Sequence, residues 1–106
     1  MKNEKNYFFE EFSKFFSAIR KKRGMTMMDV SMRTGLSTGY LSDIENHLEE
    51  RLGIPRKNTL MKLLDCYVLN EDEEKEYFNI IINLLIENYN DKERTDKIRD
   101  YLNIKK

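Results

Sequence analysis

The residue types best suited to recognition chemistry gather in segment 26–45, TMMDVSMRTGLSTGYLSDIE. Thr26 and Ser37 are good N-caps, because a side-chain hydroxyl can accept a hydrogen bond from an unpaired backbone N–H one turn on. Gly35 can adopt the positive φ that commonly ends a helix. The segment therefore predicts two short helices joined by a tight turn at 35–37.

The second of these helices is predicted to have a polar outer face. Leu41 and Ile44 lie three residues apart and are expected to face the core. Their spacing turns small, mostly polar residues outward as one surface, which we call the polar ridge: Ser37, Thr38, Gly39, Ser42 and Asp43. Hydroxyl and carboxylate groups on such a helix can form hydrogen bonds with base edges in the major groove of DNA. The ridge has no Arg, Gln or Asn for bidentate base contacts, so readout of DNA shape is expected to contribute.

The fixed positions of segment 19–45, IRKKRGMTMMDVSMRTGLSTGYLSDIE, carry a longer pattern. The turn at 35–37, the LSDIE ending at 41–45 and the upstream Arg20 all fall in register with it. In these features the chain resembles the Cro/C1-type (XRE) helix-turn-helix family of phage repressors and related bacterial regulators, over roughly residues 12–70. The resemblance implies an all-α fold, a lambda-repressor-like helix-turn-helix bundle, here with a C-terminal helical extension.

The same resemblance assigns a structural role to Arg20 and Glu45. In the family, the matching residues form a partly buried ion pair between the first helix and the end of the recognition helix. A planar guanidinium can hold a carboxylate with two parallel hydrogen bonds. The alternative is a solvated surface pair, which would contribute ~0–1 kcal/mol to stability.

The resemblance also implies contacts with the phosphates of the DNA backbone. The residues predicted for this role are Met27, Tyr40, Asn46, Arg51, Arg56 and Lys57. Met27 stands where family members often carry Gln, and it can offer a phosphate only its backbone N–H. The last three residues lie in or near a connection, 46–58, that is longer than is common in the family. Glu49 and Glu50 oppose phosphate binding there.

Composition argues against several other classes of protein. One histidine and one cysteine leave no residues at metal-ligand spacing, so we expect no metal, no cofactor and no enzymatic activity. We find neither a signal peptide nor an apolar run near the ~20 residues that a bilayer crossing needs, which predicts a cytoplasmic protein.

Net charge is zero, but residues 1–69 hold 12 Lys and Arg against 9 Asp and Glu, while residues 70–106 hold 7 Lys and Arg against 10 Asp and Glu. The positive charge thus lies with the predicted helix-turn-helix, as contact with phosphates requires.

Apolar periodicity outside this segment predicts four further helices. They are expected at 6–23, at 59–69 with Asn58 or Thr59 as the cap, at 71–90 and at 91–103. A boundary at residue 70 would divide a helix-turn-helix domain, 1–70, from a helical extension, 71–106.

The predicted helix 71–90 is apolar nearly all round, so it must be covered on more than one side. A chain of 106 residues has few elements left to supply that cover, and the pattern therefore predicts a homodimer. The residues predicted at the interface are Tyr77, Phe78, Ile81, Ile82 and Leu85, with Phe8, Phe9 or Phe12 of the first helix.

The leading interpretation is a sequence-specific transcriptional regulator, a repressor that binds double-stranded DNA at a palindromic operator as a homodimer. The alternative is a protein-interaction module on a helix-turn-helix scaffold, similar to an antitoxin or an inhibitor, that binds a second protein through its C-terminal helices. A net charge of zero slightly favours the alternative. Salt-dependent binding to duplex DNA would discriminate between the two, because it is expected of the regulator.

Overall fold

Helical structure dominates the chain, as the apolar periodicity predicts. The computed structural model describes residues 4–46, 48, 52–88 and 91–102. Within these ranges the structure has no strand, and the prediction of an all-α fold is confirmed. The helices whose bounds lie within these ranges are α1 (Glu4–Lys22), α2 (Met27–Thr34), α3 (Thr38–Asn46), α4 (Lys57–Tyr67), α5 (Glu71–Asn88) and α6 (Asp91–Leu102).

An aromatic stripe on α1 forms the centre of the core. Spacings of three and four residues place one set of its side chains inside: Phe9, Phe12, Phe15, Phe16 and Ile19. Phe15 and Phe16 reach across to Tyr77 of α5, with ring centroids 6.0 and 6.1 Å apart. The first helix and the predicted extension therefore share one hydrophobic core. Residues on both sides of position 70 contribute to that core.

The predicted dimer interface needs correction at five positions, because Phe9 and Phe12 of α1 are 7% and 0% exposed in a single chain and three predicted residues of α5 are buried as well. Tyr77, Ile81 and Leu85 are at most 1% exposed in a single chain, so their side chains are not available to a partner. The cover that α5 needs comes from α1 and α6 of the same molecule. Phe78 and Ile82, the other two predicted interface residues of α5, and Phe8 of α1 remain partly exposed.

The boundaries of α4 and α5 differ from the predicted ones by a few residues. Arg56 is the N-cap of α4 and makes no side-chain capping bond, whereas Asn58 or Thr59 was expected there. Asn70, which follows the predicted helix 59–69, caps the start of α5. Its Oδ1 accepts from the backbone N of Glu73 at 2.8 Å, and the Glu73 carboxylate accepts from the backbone N of Asn70 at 2.9 Å. This reciprocal pair is a capping box.

Leu48, in the connection between α3 and α4, packs into the core. Leu48 is buried, and its carbonyl accepts from the backbone N–H groups of Leu52 and Gly53 at 2.9 and 2.8 Å. Gly53 has a φ of 70°, which suits glycine at such a reversal. Pro55 is buried at the end of the connection, immediately before α4.

The lengths and compositions of the helices can be compared with those of a membrane span. Across the described ranges, none combines the length and the apolar character that a bilayer crossing demands.

Candidate nucleic-acid interface

Side-chain caps determine where α2 and α3 begin. Thr26 Oγ1 accepts from the backbone N of Asp29 at 3.0 Å, and Asp29 Oδ2 accepts from the backbone N of Thr26 at 2.8 Å. Gly35 has a φ of 80° and ends α2. Ser37 then caps α3, since its Oγ accepts from the backbone N of Tyr40 at 3.1 Å. The two helices and their three-residue connection thus follow from local sequence signals.

A buried ion pair fastens the end of α3 to α1. Arg20 Nε lies 2.9 Å from Glu45 Oε2, and Arg20 Nη2 lies 3.1 Å from Glu45 Oε1. The side chains of Arg20 and Glu45 are 14% and 4% exposed, so the pair is the buried form and not the solvated alternative. The hydrogen bond with Glu45 raises the pKa of Arg20 above its ordinary value. We call this pair the Arg20–Glu45 brace.

The inner face of α3 is fixed in the core by packing and one further hydrogen bond. Leu41 and Ile44 are 2% and 1% exposed. The buried hydroxyl of Ser13 in α1 donates to the carbonyl of Ile44 at 2.7 Å. With the brace, these contacts leave α3 little freedom to rotate about its own axis.

The polar ridge lies on the other side of α3. Ser37, Thr38 and Gly39 are exposed, whereas Ser42 and Asp43 are half-buried. Three of the five residues predicted for base contacts are therefore exposed at the start of α3, and the other two are only partly accessible.

Two of the predicted phosphate ligands stand at the start of α4. Arg56 is exposed and, as the N-cap, makes no side-chain bond to the first turn of the helix. Lys57 is the first residue of α4, and its Nζ lies 3.1 Å from Asp100 Oδ1 of α6. The N-terminus of a helix carries partial positive charge, which adds to that of these two cations.

The other predicted phosphate ligands differ in the contacts that their side chains make within the protein. The hydroxyl of Tyr40 lies 3.3 Å from Thr59 Oγ1, which links α3 to the first turn of α4. Asn46 Nδ2 donates to the carbonyl of Ser42 at 3.0 Å. Met27 packs against the core, so a phosphate could meet only its backbone. Arg51 lies outside the described residues.

A second charged cluster, not predicted from the sequence, joins α1 to the corner between α4 and α5. Arg23 Nη1 lies 3.0 Å from the carboxylate of Glu73, and Arg23 also donates to the carbonyls of Tyr67 and Val68 at 3.0 and 3.2 Å. Lys22 Nζ lies 3.0 Å from the same carboxylate. Glu73 is 6% exposed, and its hydrogen bond with Arg23 is the main cause that lowers its pKa to about 2.

Arg23 belongs to a basic run, 20–23, at the end of α1. Its guanidinium is engaged within the protein, so it is not free to contact a phosphate. The spacing Asn70-x-x-Glu73 is the signal that could have located the carboxylate, because it is a capping-box pattern. No local pattern indicates that Arg23, 50 residues earlier, is its partner.

The described residues show no cluster suited to a metal ion. Among them, no three His, Cys, Asp or Glu side chains come together in a way that could hold a metal ion. Cys66 is a free thiol, and burial raises its pKa, which makes it a poorer nucleophile. The surface of α3 with the start of α4 is therefore the best-formed candidate site in this part of the chain.

Comparison with known proteins adds no assignment to this site. The chain matches no protein-family model, no curated protein and no solved structure. The relationship to the XRE family rests on the residues of segment 19–45, and it stays a prediction.

Proposed function

We propose that this chain is a sequence-specific DNA-binding regulator, a repressor acting in the cytoplasm, that places α3 in the major groove. One observation carries the proposal. The inner face of α3 is held by the Arg20–Glu45 brace and by buried Leu41 and Ile44, while its outer face is the polar ridge. A rigid helix with small polar residues outward can approach base edges closely and in a fixed orientation.

Gly39 gives independent support for an external surface at this place. Gly39 lies in the first turn of α3, and glycine is a poorer helix former than alanine. A Cβ added at Gly39 would meet none of the described atoms within 4 Å, so the protein's own packing does not require glycine there. A DNA groove close to the backbone of α3 would supply a reason for the absent side chain.

Phosphate contacts would fix the orientation of α3 on the duplex. The start of α4, with Arg56 and Lys57, is positively charged and lies beside α3, since Tyr40 contacts Thr59. Contacts of this kind position a protein on DNA and carry no sequence information of their own.

The test of this proposal is a titration of duplex DNA at several salt concentrations. We expect Arg56→Gln to weaken binding to every sequence alike and to reduce the slope of log affinity against log salt by about one. Lys62→Gln is the matched control, because Lys62 is an exposed lysine further along α4 for which no DNA contact is proposed. If the wild-type protein binds no duplex even at low salt, the regulator proposal fails and the protein-interaction alternative takes its place.

A palindromic operator calls for two copies of the chain, and α5 retains a surface that could join them. Phe78 and Ile82 are partly buried, and Ile86 is 39% exposed. Their spacing of four residues aligns them in one stripe. The stretch 77–86 has no charged residue, although 36% of the chain is charged. We propose this stripe as the dimer surface, in place of the buried residues first predicted.

Ile86→Glu is expected to convert a dimeric wild-type protein into a monomer, because it would place a charge against an apolar partner surface. Met32→Glu is the control, since Met32 is 79% exposed on α2, away from the stripe. Sedimentation equilibrium measures both variants. A wild-type protein that stays monomeric at tens of micromolar would count against the dimer.

A further inference from the structure

The C-terminal helix α6 lies against the residues that lead into α4. The hydroxyl of Tyr101 donates to the carbonyl of Pro55 at 2.7 Å, and this hydrogen bond is buried. The preceding residue, Asp100, points its carboxylate at Lys57, with 3.1 Å between Oδ1 and Nζ. The buried bond of Tyr101 thus holds α6 where Asp100 can meet the first residue of α4.

Asp100 stands where an external anion would otherwise be favoured. The start of α4 has no side-chain cap, and the positive end of the helix and the ammonium of Lys57 both attract negative charge. A carboxylate carried by α6 already satisfies part of that attraction.

The Lys57–Asp100 ion pair is weak, so a DNA phosphate could take the place of Asp100 beside Lys57. Its side chains are 36% and 51% exposed, so water and salt screen the attraction, and the pair contributes little to the stability of the fold. A DNA phosphate that approached Lys57 would have to displace or repel Asp100. The affinity of the site for phosphate would then depend on the position of α6.

We infer that Asp100 acts as an internal competitor for the DNA backbone, and that α6 lowers the affinity of this chain for DNA by occupying Lys57. The inference rests on the proposed function, because it assigns a regulatory contact to the same surface. Any partner or modification that drew α6 away from Pro55 would strengthen binding to DNA. Loss of the contacts between α6 and the start of α4 would thus free Lys57 for a DNA phosphate.

Asp100→Asn tests the inference, since it removes the charge and keeps the size of the side chain. The probe is a short duplex of mixed sequence, because a phosphate contact does not depend on an operator. We expect Asp100→Asn to bind about threefold to tenfold more tightly than wild type at low salt, and its salt slope to steepen by about one. In a Lys57→Gln background the same substitution should give no gain.

Asp96→Asn is the matched control. Asp96 lies one turn earlier on α6, is exposed, and pairs with Arg99 on its own helix. Equal gains from Asp100→Asn and Asp96→Asn, or a gain that survives Lys57→Gln, would overturn the inference and leave DNA binding intact. Binding of no duplex by any variant would overturn the proposed function as well. Thermal unfolding checks that α6 stays docked, and Asp100→Ser serves in place of Asp100→Asn if that variant is unstable.

Discussion

Arg20→Ala is expected to lower the free energy of unfolding by about 3–5 kcal/mol. The reason is the carboxylate that remains. Glu45 is only 4% exposed on its side chain, and without the guanidinium it would be a buried charge with its main partner removed. The carbonyl of Met25, which accepts from Arg20 Nη1 at 2.9 Å, would also lose a donor. Urea-induced unfolding followed by circular dichroism measures the change.

Two further variants show whether the loss comes from the stranded charge. Arg33→Ala is the control, because Arg33 is an exposed arginine of α2 and should change stability by less than about 0.5 kcal/mol. The double variant Arg20→Met with Glu45→Leu removes both charges, and it is expected to recover most of the lost stability. An unchanged urea midpoint for Arg20→Ala would contradict the buried brace.

Acid is expected to weaken the fold through Glu73 by about 3 kcal/mol. The hydrogen bond with Arg23 lowers the pKa of Glu73 from 4.5 to about 2 in the folded chain. A group with a lowered folded pKa contributes stability above its unfolded pKa and loses it as the pH falls through the folded value. The contribution is therefore complete above about pH 5 and lost by about pH 2.

The measurement for Glu73 is the difference in the free energy of unfolding between wild type and Glu73→Gln over that pH range. Glu73→Gln should be less stable than wild type near neutral pH. The difference in the free energy of unfolding should close as the pH falls toward the lowered pKa of Glu73, about 2. Glu71→Gln, an exposed residue of the same first turn, should run parallel to wild type. A gap for Glu73→Gln that stays constant with pH would show that the cluster does not depend on the charge of Glu73.

Local sequence signals predicted the parts of the fold that local physics determines. Thr26, Gly35 and Ser37 are placed by capping and by a left-handed backbone, which involve residues only a few positions apart. The aromatic spacing in α1 likewise predicts which face is buried. Arg56 as the N-cap of α4 escaped prediction because it makes no side-chain bond, so no capping residue marks the position.

Long-range partners were predicted less well, because a pattern shows how much apolar surface needs cover and not what covers it. The apolar helix α5 suggested a second chain, but Tyr77 meets Phe15 and Phe16 of its own α1. The link between Arg23 and Glu73 spans 50 residues and has no local signature. Arg20 and Glu45 are an exception, since their pairing came from the resemblance to a known family.

The candidate site likewise has one part that local sequence signals predict and another that depends on long-range contacts. The polar ridge followed from helical spacing, because Leu41 and Ile44 point inward and their neighbours must point outward. The phosphate ligands depend on how distant elements meet. Nothing near Lys57 in the sequence indicates that Asp100 of α6 would reach it.

Selection from a randomised duplex pool with purified protein shows whether the polar ridge reads DNA sequence, as we propose. We expect an enriched pair of inverted half-sites, with centres about 10 base pairs apart or a multiple of that. The same selection with Asp43→Ala should change preference at about one or two base pairs per half-site, at about 1–3 kcal/mol for each lost contact. A pool that shows no enrichment over a random-sequence competitor, even at low salt, would mean that the polar ridge does not read DNA sequence.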